Sequence, residues 1–114
     1  MTNTVTDSIR KVKMNNRFTG MLGLATKAGA CVSGEFSVEQ ALKKGMAYLV
    51  IIAEDASDNT RKHFTDMCSY RNVPVITACS KQILGKCTGK QERASVGILD
   101  AGFADRLISI IQEG

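Results

Sequence analysis

The sequence predicts an α/β protein, an α/β/α sandwich in one domain, and three observations carry that reading. Leu49-Val50-Ile51-Ile52-Ala53 is a continuous apolar run of strand length, as expected of a strand buried on both faces. Phe18, Met21, Leu22, Ala25 and Ala28 recur at helical spacing. Segments of these two kinds then alternate to the end of the chain, which implies a mostly parallel sheet covered on both faces. At 114 residues the chain makes one domain. A chain of that size buries about two-thirds of its unfolded surface, enough for a core without covalent staples.

Taken in order, residues 1–15 are polar and read as a flexible leader, with the single domain at 16–114. The first helix starts at Phe18 and is stopped by Gly29. Ala30-Cys31-Val32 is a short strand, and Ser33-Gly34 opens a second helix that ends at Gly45. Residues 48–53 form the buried strand. Asp55, Ser57 and Asp58 offer turn and cap chemistry for a third helix with Phe64, Met67 and Cys68 on one side. Residues 73–77 make a strand with Pro74 near its start, where a missing N–H is tolerated. Ser80 begins a short helix, residues 89–93 are a polar loop and residues 94–99 the last strand. Asp100 caps a final helix whose buried stripe is Phe103, Leu107, Ile110 and Ile111.

Composition narrows the class. No apolar stretch approaches a membrane span and no export signal precedes the domain, so the cytosol is expected. Cys31, Cys68, Cys79 and Cys87 contain no Cys-x-x-Cys pair, and His63 has no cysteine at zinc-finger spacing. Four reduced, mostly buried thiols are expected, with no metal and no cofactor. The net charge of +4 is unevenly spread: Arg10, Lys11, Lys13 and Arg17 against Asp7 leave +3 in residues 1–17. Such a stretch suits an acidic partner such as RNA, or serves only as a solvated tail.

Motifs for catalysis are absent: no phosphate-binding glycine loop, no dinucleotide fingerprint and no His-Glu-x-x-His. The one histidine, His63, adjoins Lys62 in the polar half of its helix and reads as a surface residue. Glu54-Asp55 at the end of the buried strand could hold a metal or act as acid and base. Capping the following helix is the stronger use of that pair. An enzyme is not expected.

The second helix is more informative. Val38, Ala41 and Leu42 cluster on the side that must face the sheet, whereas Phe36, Gln40 and Lys43 line the opposite side, flanked by Ser37 and Lys44. A ring, an amide and a cation in line serve base stacking, a base edge and a phosphate. Ser33-Gly34-Glu35 ahead of them leaves backbone N–H groups to attract an anion. The same residues also fit a hydrophobic staple and a Ser37-x-x-Gln40 capping box. Lys90-Gln91-Glu92-Arg93 is a second candidate contact, or a plain solvated turn.

These segments together resemble the L7Ae/L30e family of ribosomal and RNA-binding proteins, in its bacterial YlxQ-type group. The resemblance runs from about Phe18 to Ile111. It is carried by Met21-Leu22-Gly23-Leu24-Ala25, by Val32-Ser33-Gly34-Glu35 and by the stretch 48–57. Asn72-Val73-Pro74-Val75, then Ser80-Lys81-Gln82-Ile83-Leu84-Gly85 with Gly89, complete it. It implies a three-layer α/β/α fold with a four-stranded mixed sheet. It also implies a non-catalytic protein that binds kink-turn RNA, a bent helix–loop–helix with tandem sheared G·A pairs. In the family a Gly-x-Asn-Glu-x-x-Lys motif reads the G·A edges, and a loop before the last strand covers a flipped-out base.

Gly34 keeps the motif's glycine, but Phe36, Ser37 and Gln40 stand where the family has asparagine, glutamate and lysine. Serine is shorter than glutamate, and glutamine removes a cation. The implied RNA site is Lys27, Gly34, Glu35, Phe36, Ser37, Gln40, Lys43, Lys44, Lys90, Gln91, Glu92 and Arg93. Its target would be a kink-turn, a variant of one or another rRNA element, bound by a monomer in the ribosome or its assembly. The rival expectation is a protein-interaction module on the same fold. Basic residues on the supposed binding side exceed acidic ones by four, and by one if the turn at 54–58 faces the same way.

Overall fold

A computed structural model describes the backbone of residues 4–113 and the side chains from residue 16 onward. The elements run α1 (Thr4–Lys27), β1 (Cys31–Ser33), α2 (Glu35–Lys43), β2 (Leu49–Ile52), α3 (Asp58–Arg71), β3 (Val75–Thr77), α4 (Lys81–Cys87), β4 (Ser95–Ile98) and α5 (Ala101–Glu113). That is the order of elements expected from the sequence. The flexible leader expected at residues 1–15 falls mostly outside the description: residues 1–3 entirely, and the side chains of the rest. The backbone of α1 nevertheless runs back to Thr4. Residues 4–19 contain neither glycine nor proline, so nothing in that stretch breaks the helix.

The caps follow the sequence closely. Ser57 accepts a hydrogen bond from Thr60 N at 3.1 Å to start α3, and Ser80 accepts one from Ile83 N at 3.1 Å to start α4. Asp100 accepts from Phe103 N at 3.0 Å at the head of α5. Each such cap is worth about 1 kcal/mol. Asp55 is used differently from the expectation that it caps α3: its Oδ1 accepts from Lys81 N at 2.8 Å, tying the end of β2 to the start of α4.

The sheet is four-stranded and mixed, in the order β1-β4-β2-β3. Only β2 and β3 pair in parallel; β4 is antiparallel to both β1 and β2. The mostly parallel sheet inferred from the alternation is therefore corrected. The cause lies between β3 and β4. A parallel neighbour needs a crossover that returns to the opposite end of the sheet, whereas here the chain turns back on itself. Arg93 N donates to Lys81 O at 3.0 Å, so the loop after α4 ends where α4 began. β4 then sets out from the end at which β3 finished, and must run the other way.

β2 and β4 are buried throughout, while the edge strands β1 and β3 are half-buried. α2 and α3 pack together on one face, and α1, α4 and α5 on the other. Phe18, Leu22, Val38, Phe64, Leu84 and Leu107 are wholly buried between the layers, each contributing about 1.5–3 kcal/mol by its transfer from water. The stripe expected on α1 ends one turn early: Ala28 lies beyond the helix and is exposed. Among the described residues no helix is long and apolar enough to cross a membrane.

Candidate nucleic-acid interface

The C-terminal ends of β1, β2 and β3 and the start of β4 meet at one end of the sheet. Gly34 N donates to Ser95 O at 3.0 Å, Ala53 N to Ala94 O at 2.9 Å and Glu54 N to Cys79 O at 2.7 Å. This end gathers the start of α2 and the loop before β4, the two stretches that the sequence marked out.

α2 begins without a side-chain cap. Gly34 is its N-cap residue at φ 93° and ψ 156°, a conformation closed to residues with a Cβ. Val38 N closes the first turn on Gly34 O at 3.0 Å, and the N–H groups of Glu35, Phe36 and Ser37 precede any helical acceptor. Ser37 lies inside the helix, so the capping box is not formed. Phe36 likewise does not fold back as a staple: its ring is 73% exposed, a large apolar surface turned to solvent.

The loop is fixed to α4 at its base. Lys90 N donates to Gly85 O at 2.7 Å. A Cβ on Gly85 would stand 1.2 Å from Gln91 O, so the loop backbone occupies the space that any other residue would fill. Arg93 then leans back over α2: its Nε donates to Ser33 Oγ at 3.2 Å, and its Nη1 to Glu92 O at 2.9 Å. The arm passes 3.7 Å from the point where a Cβ on Gly34 would be.

Two clefts flank α2. One, of about 360 Å³, is lined by Thr26, Ser33, Ser37, Thr88, Lys90 and Arg93 among others, and joins the two marked stretches. The other, of about 380 Å³, is more apolar and takes Phe36, Gln40 and Lys44 with Val32, Met46 and Leu99. Lys43, aligned in sequence with Phe36 and Gln40, borders a third hollow beside Tyr48 and Arg71. Glu35 sends its carboxylate toward Glu39 of the same helix and His63 of α3. Lys27 ends α1 next to Thr26, and Gln91 and Glu92 are exposed at the loop's tip. Thr26, Thr88 and Met46 escaped the sequence reading: the packing of α1 against β1 and α4 brings Thr26 and Thr88 here, and Met46 arrives on the loop after α2.

Residues 16–108 match the description of the ribosomal protein L7Ae/L30e/S12e/Gadd45 family. The chain belongs to that family. It is 44% identical over 91 residues to "RNA-binding protein YlxQ" of Bacillus subtilis, covering 80% of this chain and 91% of the relative. It is 34% identical over 92 residues to "RNA-binding protein YlxQ" of Enterococcus faecium, covering 81% and 88%. Among solved structures, a protein of unknown function from Bacillus halodurans C superposes with a TM-score of 0.80 at 37% identity, over 83% of this chain and 96% of that one. The Giardia lamblia 15.5kD RNA binding protein does so with 0.73 at 21% identity, over 89% and 87%, and shares the fold.

Within this L7Ae-type fold the turn at 54–58 adjoins the end that carries the candidate residues, because Asp55 holds Lys81 and Lys81 holds Arg93. Its acidic side chains therefore offset part of the basic excess. Arg61, which the sequence reading passed over, restores one positive charge there, donating to Glu54 O at 3.1 Å. Of the basic residues near the N-terminus, Arg17 is engaged with Glu113 of α5; the side chains of Arg10, Lys11 and Lys13 lie outside the described residues. Cys79 and Cys87 bracket α4 and stay neutral thiols. Burial foremost, reinforced by the neighbouring Glu54 carboxylate, pushes Cys79 up to about 12, and burial also raises Cys87.

Proposed function

We propose that this chain is a non-catalytic RNA-binding protein that recognises folded RNA, a kink-turn or a variant of one in rRNA. It would act as a cytosolic monomer associated with the ribosome or its assembly. The observation that carries the reading is the bridge from Arg93 to Ser33 across Gly34, which joins the uncapped start of α2 and the loop 90–93 into one surface. The names of the YlxQ relatives, RNA-binding proteins at up to 44% identity, support it.

Each part has a physical task. The first-turn N–H groups of α2 suit a phosphate oxygen. Phe36 offers a face for base stacking, and Gln40 beside it a donor and an acceptor for a base edge. Ser37 at the polar cleft replaces a carboxylate with a shorter group, which relaxes selection for guanine amino groups. Lys43, Lys44 and Lys90 supply phosphate contacts, and Lys27 stands near the same end. Arg93, anchored at both ends, closes the loop over the site.

Titration of a labelled kink-turn RNA, against a straight duplex of equal length at two salt concentrations, tests the reading. Preference for the kink-turn would mean that Phe36, Ser37 and Gln40 still read the family's target. Equal binding would point to a less specific RNA site. Absent binding to both would favour the second reading, a protein-interaction module, for which the exposed apolar cleft of Phe36, Met46 and Leu99 speaks.

A further inference from the structure

Beside the candidate RNA face, α2 and α3 bring two carboxylates together with an imidazole that is distant in sequence. Glu35 and Glu39 stand one turn apart on α2, and His63 reaches them from α3. One donor atom from each, two carboxylate oxygens and an imidazole nitrogen, lie within 4.8 Å of one another. His63 Nε2 already contacts Glu39 Oε2. Among the described residues no other three acidic, histidine or cysteine side chains converge in this way.

The chemistry is that of a cation site. Two carboxylates one turn apart repel each other, and a divalent ion between them would cancel both charges. The neighbouring cation, Lys62, is directed elsewhere, to Asp66 at 3.2 Å. Imidazole mixed with carboxylate oxygen favours zinc, copper, nickel or cobalt, whereas magnesium and calcium prefer oxygen alone. Three protein donors leave a further coordination position for water. His63 is held edge-on against the buried Phe64 ring, with centroids 4.9 Å apart, so part of its orientation is set before any ion arrives.

We propose that Glu35, Glu39 and His63 form a binding site for a divalent transition-metal ion, zinc foremost, that fastens α2 to α3. The metal assignment does not rest on the RNA reading, and it gives the Glu35 carboxylate a partner other than RNA. Its occupancy would fix the helix that carries Phe36, Ser37 and Gln40, and would remove two negative charges from beside it.

The test is calorimetric titration of the full chain with zinc, under reducing conditions and excess magnesium. One ion per chain is expected. His63→Ala and Glu35→Gln should each weaken binding roughly tenfold or more, as loss of one ligand of three requires. The double variant Cys31→Ser/Cys87→Ser should bind as the unaltered chain does. Zinc should also shift the His63 ring signals in the NMR spectrum. The proposal is overturned if no saturable binding occurs, which would leave Glu39 and His63 as a simple pair. It is equally overturned if binding survives both ligand variants or disappears with the cysteines.

Discussion

Arg93 lies across Gly34, with its Nε 3.7 Å from where a Cβ on that glycine would stand and bonded at 3.2 Å to Ser33 Oγ. The space would admit a methyl group at ordinary contact distance, but the backbone would not. At φ 93° and ψ 156° Gly34 occupies a region open essentially to glycine alone. Gly34→Ala should therefore lose about 1–3 kcal/mol of stability through backbone strain, measured by urea denaturation. Relief of that strain would tilt the start of α2 and displace Arg93, so RNA affinity should fall as well. Unchanged stability would mean that the turn has an alternative conformation.

Phe36→Ala separates binding from folding. The ring is 73% exposed, so thermal stability should stay within about 0.5 kcal/mol. If the ring stacks on a base, affinity for the cognate RNA should drop by about 1–3 kcal/mol, read by fluorescence anisotropy. An unaltered affinity would remove the stacking role.

Gly85 makes the opposite case, a buried position whose effect reaches the surface. Any Cβ there would collide with the Gln91 carbonyl at 1.2 Å, and that neighbour is backbone that cannot rotate aside. Gly85→Ala should cost about 1–3 kcal/mol by overpacking and displace residues 90–93. RNA binding should weaken although Gly85 itself is buried; hydrogen exchange at Lys90 N, bonded to Gly85 O at 2.7 Å, reports the displacement directly.

The buried thiols impose an alkaline limit. Burial pushes Cys68 up from 9.0 to about 11, an effect only partly countered by the Arg71 charge. With a folded pKa above the unfolded one, the stabilisation is complete below about pH 9 and is lost as pH rises toward 11. The melting temperature should fall across that interval, and less steeply in Cys68→Ala, whose curve should start lower because of the cavity left behind. Parallel curves would mean that Cys68 gains solvent access before it ionises.

The order of elements was legible because each strand and helix here announces itself locally, by an apolar run such as Leu49-Val50-Ile51-Ile52 or by a cap such as Ser80 or Asp100. Strand direction was not, since it depends on where a loop ends in space: the bond from Arg93 N to Lys81 O reverses β4 and has no local signature. The candidate interface divides in the same way. Phe36 was readable as an outward ring from helical period alone. The anchoring of Arg93 on Ser33, the meeting of His63 with Glu39 and the obligatory glycine at 85 arise from contacts between segments distant in sequence, which periodicity does not report.

β4 is the latest in chain order of the four strands and yet an inner strand of the sheet, with β1 on one side and β2 on the other. Until residues 95–98 arrive, β1 has no strand partner, and β2 has only the half-buried edge β3. Without that segment the sheet is two separate pieces with a vacant slot between them. Completion of the fold becomes a late, nearly all-or-none event, because one segment supplies the pairing for both halves. The same event sets Gly34 against Ser95, so the candidate interface takes shape only when the slot is filled.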